Sequence, residues 1–126
     1  MSTYAPNRSP AAYQQSSVLT ASPERLVVML YDGARRFLAQ AALAMREERT
    51  AEANERLRRG ELIIDELLCT LDMEKGAEVA KTLHGLYVFF LAQLTEARQQ
   101  RDADKIVWVA DQLGELRTSW AQLCTT

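Results

Sequence analysis

The chain has 126 residues, enough for one domain whose core needs no metal or disulfide staples. Aliphatic residues and alanine dominate, only 7% is aromatic, and glycine and proline are scarce, which is the balance of a helical protein. A net charge of −2 argues against a general phosphate-backbone binder, and no apolar run approaches the ~20 residues of a membrane span.

Residues Met1 to Ala21 are unlike the rest. Ser, Thr, Pro, Gln, Asn and Ala prevail there, and Arg8 is the only charged side chain. One reading is a mobile tail. The other takes Tyr4, Tyr13, Val18 and Leu19 as apolar anchors, with Ala11 to Gln15 forming a helical turn that docks Tyr13 on the body. The expected division is therefore a segment or lid over 1–21 and a folded domain over 22–126.

A strong helix-start signal follows at Ser22-Pro23-Glu24: a capping hydroxyl, a proline whose missing N–H costs nothing, and an acid at the positive end of the dipole. The first helix is expected over about 23–48, with Leu26, Leu30, Gly33, Phe37, Ala41 and Ala44 inward, flanked by Val27, Ala34, Leu38 and Met45. Gly33 costs helix stability, so a neighbour is expected to approach it closely. Thr50 offers the cap of a second helix over about 51–71, with Ala53, Leu57, Gly60, Ile64, Leu67, Leu68 and Leu71 inward. The short connection 72–76 forces an antiparallel return. A third helix over about 76–100 turns Val79, Leu83, Leu86, Tyr87, Phe90, Leu94 and Ala97 inward. Asp102 or Asp104 caps a fourth, with Ile106, Val109, Leu113, Leu116, Trp120 and Leu123 inward. The fold class is all-α: an antiparallel up-down four-helix bundle with a short N-terminal segment or helix packed on it.

No reaction centre emerges from the residues. A di-iron bundle site needs inward Glu and Glu-x-x-His pairs, but His84 is the only histidine and Lys81 stands three residues before it. His84 is expected at the surface. The same lone histidine would have to serve every serine or cysteine nucleophile, and there is no glycine-rich phosphate loop. Only Arg98 and Arg117 lean inward; a small helical enzyme acting on an anion would require them to converge on an enclosed cavity. The sequence therefore predicts no enzyme, no cofactor and no metal. Cys69 and Cys124 lie outside any Cys/His cluster and read as reduced thiols, although their spacing leaves a pairing open. With no signal-peptide pattern, a cytoplasmic address is expected.

What remains is a set of apolar residues that miss the core arcs: Val28 and Leu43 on the first helix, Leu62 and Cys69 on the second, Val88 and Phe89 on the third, Val107 and Trp108 on the fourth. They are read as scatter, as contacts of the N-terminal segment, or as strips that receive partner helices through i, i+3/i+4 anchors. A homodimer would use the same surfaces.

Several runs taken together resemble the flagellin-specific secretion chaperones, the FliS family. These are Ala21-Ser22-Pro23-Glu24-Arg25-Leu26, then Met29-Leu30-Tyr31-Asp32-Gly33-Ala34-Arg35-Arg36-Phe37-Leu38. Further echoes are Ile63-Ile64-Asp65-Glu66-Leu67, Leu71-Asp72-Met73-Glu74-Lys75-Gly76, Leu86-Tyr87, and Leu116-Arg117-x-x-Trp120. Val88, often polar or acidic in that family, and Ala77, often glycine, depart from its pattern. The resemblance implies a cytosolic chaperone that binds the disordered C-terminal segment of flagellin, prevents early polymerisation and aids delivery to the flagellar type III export gate. It also implies an N-terminal segment, marked by Tyr13, that covers part of the binding surface until flagellin displaces it. Tyr13 and the eight outward residues are accordingly the candidate partner-binding set.

Overall fold

The computed structural model describes residues 22–125, with side-chain surroundings for 22–121. Four helices follow one another: α1 (Pro23–Arg46), α2 (Thr50–Cys69), α3 (Met73–Gln100) and α4 (Ala103–Thr125). Their short connections fold them into an all-α four-helix bundle in which α1 and α3 stand diagonally across from each other. None of the described helices is long and apolar enough to cross a membrane. The expected segment over 1–21, including Tyr13, lies outside the described residues.

Local chemistry sets most helix ends. Ser22 Oγ accepts the Arg25 N–H at 3.2 Å, with Pro23 and Glu24 in the first turn. Past Arg46, Glu48 takes a left-handed conformation (φ 59°), and the Arg49 N–H reaches back to the Ala44 carbonyl at 2.8 Å. Thr50 does not cap α2 as its position in the sequence suggests. Thr50 is already helical, and its Oγ1 accepts from Arg101 at 3.0 Å, so the hydroxyl ties two loops together. Asp72 caps α3 through the Glu74 and Lys75 N–H groups, which places the start of that helix three residues earlier than expected. Arg101, left-handed at φ 56°, ends α3, and Asp102 Oδ1 accepts the Lys105 N–H at the start of α4.

The core centres on Tyr31, Leu38, Leu57, Ile64, Leu67, Tyr87, Phe90, Leu94, Ile106, Val109 and Leu113, all fully or almost fully buried. Tyr31 is buried although it stands outside the expected arc: the buried face of α1 also takes in Val28, Tyr31 and Ala42. Leu38 is fully enclosed, whereas Phe37 is half-buried on the α2 flank beneath the guanidinium groups of Arg36 and Arg59. Small residues let α1 and α2 approach. A Cβ at Gly60 would lie 2.7 Å from Leu38 Cδ2, and one at Gly33 would lie 3.2 Å from Ile63 Cδ1, so the close neighbour expected at Gly33 is present. Helix α1 packs extensively on α2 and α4, while α3 makes a thinner seam with each of its neighbours.

Candidate binding surfaces

The thin seams around α3 open at one end of the bundle into a cleft of about 670 Å³. Its walls come from the start of α1 (Pro23, Val27), the end of α2 (Leu71), the start of α3 (Gly76, Val79, Leu83) and Trp120 of α4. The lining is mostly apolar, with Glu24, Asp72 and Lys75 at the rim. Val79 was expected in the core. It does face inward, but only onto this cleft, and it stays 67% exposed. Ala80 takes the buried position beside it.

The start of α3 forms one wall of the cleft and is not a simple helix. Ala77 has φ 46° and ψ −122°, a conformation that glycine favours, so Met73–Gly76 form a separate turn joined to the helix at a kink. At the cleft floor, the hydroxyls of Tyr31 and Tyr87 hydrogen-bond across the bundle at 2.5 Å, with ring centroids 6.4 Å apart. Burial pushes both hydroxyls above the usual phenol range. For Tyr31 the contacts of Tyr87 and Trp120 offset part of that rise; for Tyr87 the bond to Tyr31 adds to it. Tyr87 is the one member of the pair that also lines the cleft.

The outward residues expected from the sequence divide into three groups. Val28 is a correction: only 9% exposed, it belongs to the core, because the buried arc of α1 extends toward α4 farther than the wheel allowed. Val107 is a second correction, half-buried and packed against the core from α4. Leu43, Leu62, Cys69 and Val88 are exposed as expected, and Cys69 is a free thiol. On α2, Leu62 and Cys69 alternate with Arg58, Asp65 and Glu66 and remain separate points amid charge.

Phe89 and Trp108 alone are brought together. Their rings meet edge to face at 6.0 Å across the α3–α4 seam, with Phe90 beneath Trp108 at 6.1 Å, and both stay nearly half exposed. Tyr13, the remaining candidate, cannot be placed among these because it falls outside the described residues.

Arg98 and Arg117 do not converge. Arg98 reaches back to the buried Glu61 of α2 at 2.5 Å, whereas Arg117 pairs with Asp32 of α1 at 2.9 Å. Each guanidinium is engaged by a carboxylate on a different helix, which removes the anion pocket that a small helical enzyme would need. The Asp32 contact also raises the Arg117 pKa further above its already high value. Glu61, which the sequence does not single out, stands outside the expected inward arc of α2 and is buried. Its only signal is adjacency to Gly60 on the inward arc. His84 is exposed, as expected.

The family model of the flagellar protein FliS matches residues 6–126 of this chain. The chain belongs to the FliS family. It is 37% identical over 112 residues to the flagellar secretion chaperone FliS of Campylobacter jejuni, covering 89% of this chain and 88% of that protein. The Salmonella typhimurium FliS is 36% identical over 110 residues, covering 86% and 82% respectively. FliSB of Pseudomonas aeruginosa is 36% identical over 112 residues, covering 86% and 89%. The runs that resemble FliS proteins have structural roles here. Ser22 caps α1, Tyr31 bonds Tyr87 across the core, Gly33 admits Ile63, Asp72 caps α3, and Arg117 holds Asp32. Trp120 closes the end cleft. Among the described residues of these FliS runs, Leu71–Gly76, Tyr87 and Trp120 meet at the apolar end cleft.

Proposed function

We propose that this chain is a cytoplasmic, non-enzymatic chaperone for flagellin. It holds flagellin's disordered C-terminal segment, prevents early polymerisation and hands the subunit to the flagellar export gate. The names of its relatives support the role. The observation that carries the mechanism is the apolar end cleft floored by Tyr87 and Trp120. A segment that folds on binding typically buries 1,000–3,000 Å² to offset about 2–5 kcal/mol of ordering, which one cleft does not supply. The thin α2–α3 seam extends it, because half-buried Leu68 and Leu91 continue the apolar lining from Leu71. The segment is proposed to seat one helical turn in the cleft and to run along this seam.

Residues 1–21 act in this reading as a tethered competitor. They join the fold at Ser22, next to Pro23 and Glu24 of the cleft wall. Tyr13 stands nine positions before Ser22, a reach of about 30 Å when extended, ample for Tyr13 to enter the cleft. A short flexible tether gives an effective concentration of order mM, so flagellin must out-bind it and is released more readily at the gate.

A peptide of flagellin's last ~40 residues should form a 1:1 complex with gain of helical circular dichroism. Val79→Asp, at an exposed cleft position, should weaken that complex at least ~10-fold by placing a charge against apolar surface. Tyr13→Ala should tighten it several-fold and leave the melting temperature unchanged. No complex at micromolar concentrations sinks the proposal.

A further inference from the structure

The α3–α4 side of the bundle carries a second surface that the flagellin reading does not use. Phe89 and Trp108 stand edge to face there, 46% and 43% exposed, with Val88 alongside. Four residues before Phe89 is Gly85, in the middle of a helix, where glycine costs stability relative to alanine. A Cβ at Gly85 would meet nothing within 4 Å, so no contact within the described bundle requires a glycine. This contrasts with Gly60 and Gly33, each of which is pressed by a neighbouring side chain. Exposed Ala92 lies seven residues on, two turns or about 10 Å along the axis, on the same face. Gly85 and Ala92 thus form two notches on either side of Phe89, a saddle on which another helix can lie with its backbone close to α3.

The charges around the saddle specify what kind of helix. On α4, Asp104, Trp108, Asp111 and Glu115 succeed one another at helical spacing along one outer face. Asp104 is paired with Arg46, but Asp111 and Glu115 make no ion pair among the described residues. On the α3 side, Glu96 is answered by Lys105 of this same chain. Lys81, exposed one turn before Gly85 on α3, also makes no ion pair among the described residues, so the unpaired charge around the saddle is two carboxylates on α4 against one ammonium on α3.

We infer that the Gly85–Phe89–Trp108 saddle is a docking site for a basic amphipathic helix of another protein. That helix presses its apolar face on Phe89 and Trp108 and points Lys or Arg toward Asp111 and Glu115. The site is separate from the end cleft, so the chaperone can hold flagellin and this second partner together.

The probe is a synthetic helix of about five turns with leucine on one face and lysine on the other, compared with a leucine–glutamate twin. Calorimetry on the full chain should give 1:1 micromolar binding of the lysine peptide, weakened by added salt, and at least ~10-fold weaker binding of the twin. Gly85→Leu fills the notch while meeting open space. It should cut affinity at least ~10-fold without lowering the melting temperature. Asp111→Lys with Glu115→Lys should cost several-fold and remove the salt dependence.

Equal binding of both peptides, unchanged binding to Gly85→Leu, or no binding below ~1 mM overturns the inference. The flagellin peptide should bind Gly85→Leu as it binds the parent chain; a loss there would give the saddle to flagellin and refute a separate partner. Sedimentation should show a monomer throughout; a dimer abolished by Gly85→Leu would assign the surface to a second copy instead.

Discussion

Helix α1 meets α2 across Gly60, Gly33 and a run of alanines, so the two backbones come close and Leu38 is locked against the Gly60 backbone. Helix α3 meets the bundle across Leu83, Tyr87, Phe90 and Leu94, large side chains that hold it farther off and leave thin seams on both flanks. Close packing leaves nothing for a ligand to enter. The stand-off of α3 produces the end cleft on one side and the aromatic saddle on the other. In this bundle α1 provides stability, and the surfaces available for binding gather around the helix that is packed least tightly.

The largest expected effect tests that difference directly. Leu38 and Leu94 are both fully buried leucines, one in the tight seam and one on α3. Truncation to alanine costs ~2–5 kcal/mol depending on how far the site collapses. Leu38→Ala should fall near the upper end and Leu94→Ala near the lower, read by chemical denaturation. Equal costs would mean that α3 is packed as rigidly as α1.

The glycines sharpen the same comparison. Gly60→Ala forces a methyl against enclosed Leu38 and should destabilise by ~1–3 kcal/mol. Gly85→Ala meets open space and should stabilise by about 0.5–1 kcal/mol through helix propensity alone. If both changes have the same sign, the two seams do not differ as described.

Among the described residues, the tyrosine pair is the one polar bond linking α1 to α3 through the core. Tyr31→Phe or Tyr87→Phe leaves a buried hydroxyl without its partner and should cost ~1–3 kcal/mol, while the double change should cost less than the sum. Both phenol pKa values are raised in the fold, so the folded state holds these protons more tightly than the unfolded chain does. Stability from the pair is then fully present below about pH 10, the ordinary tyrosine value, and declines as pH climbs above it toward the folded values. Denaturation curves should show that alkaline loss in the parent protein and a shallower one in the double Phe variant.

The smallest effect concerns the cleft wall. Ala77 sits where glycine is favoured, so Ala77→Gly should stabilise by up to ~1 kcal/mol, the released strain being partly offset by glycine's chain entropy. Ala77→Val should destabilise, because a β-branched residue tolerates positive φ less well. A destabilised Ala77→Gly would indicate that the Met73–Gly76 turn is held by something other than this kink.

Much of this architecture was legible in the chain. The periodicities locate four helices and most of the core; Ser22 is recognisable as a cap, and of the two candidates Asp102 and Asp104 the structure uses Asp102. The errors share one cause, since a helical wheel gives phase but not what stands opposite. Val28 and Val107 sat at arc edges that neighbouring helices happen to cover, and Val79 sat on an arc that nothing covers. Tyr31 lies outside the expected arc of α1 yet is fully buried, because Tyr87 of α3 meets it across the bundle. Glu61 goes unnoticed along the chain because its partner, Arg98, lies 37 positions away. Phe89 and Trp108 were both suspected as outward anchors, but only their meeting makes them a surface.

The amino-acid order by itself determined the helices, their caps, their antiparallel succession and the FliS family, because these depend on residues within a few positions of one another or on ordered runs. Tertiary structure decided which edge residues are covered, where α3 stands off from the bundle, how each arginine is spent and which aromatics touch. Those outcomes depend on the distance and rotation between helices, which residues far apart in the chain set jointly.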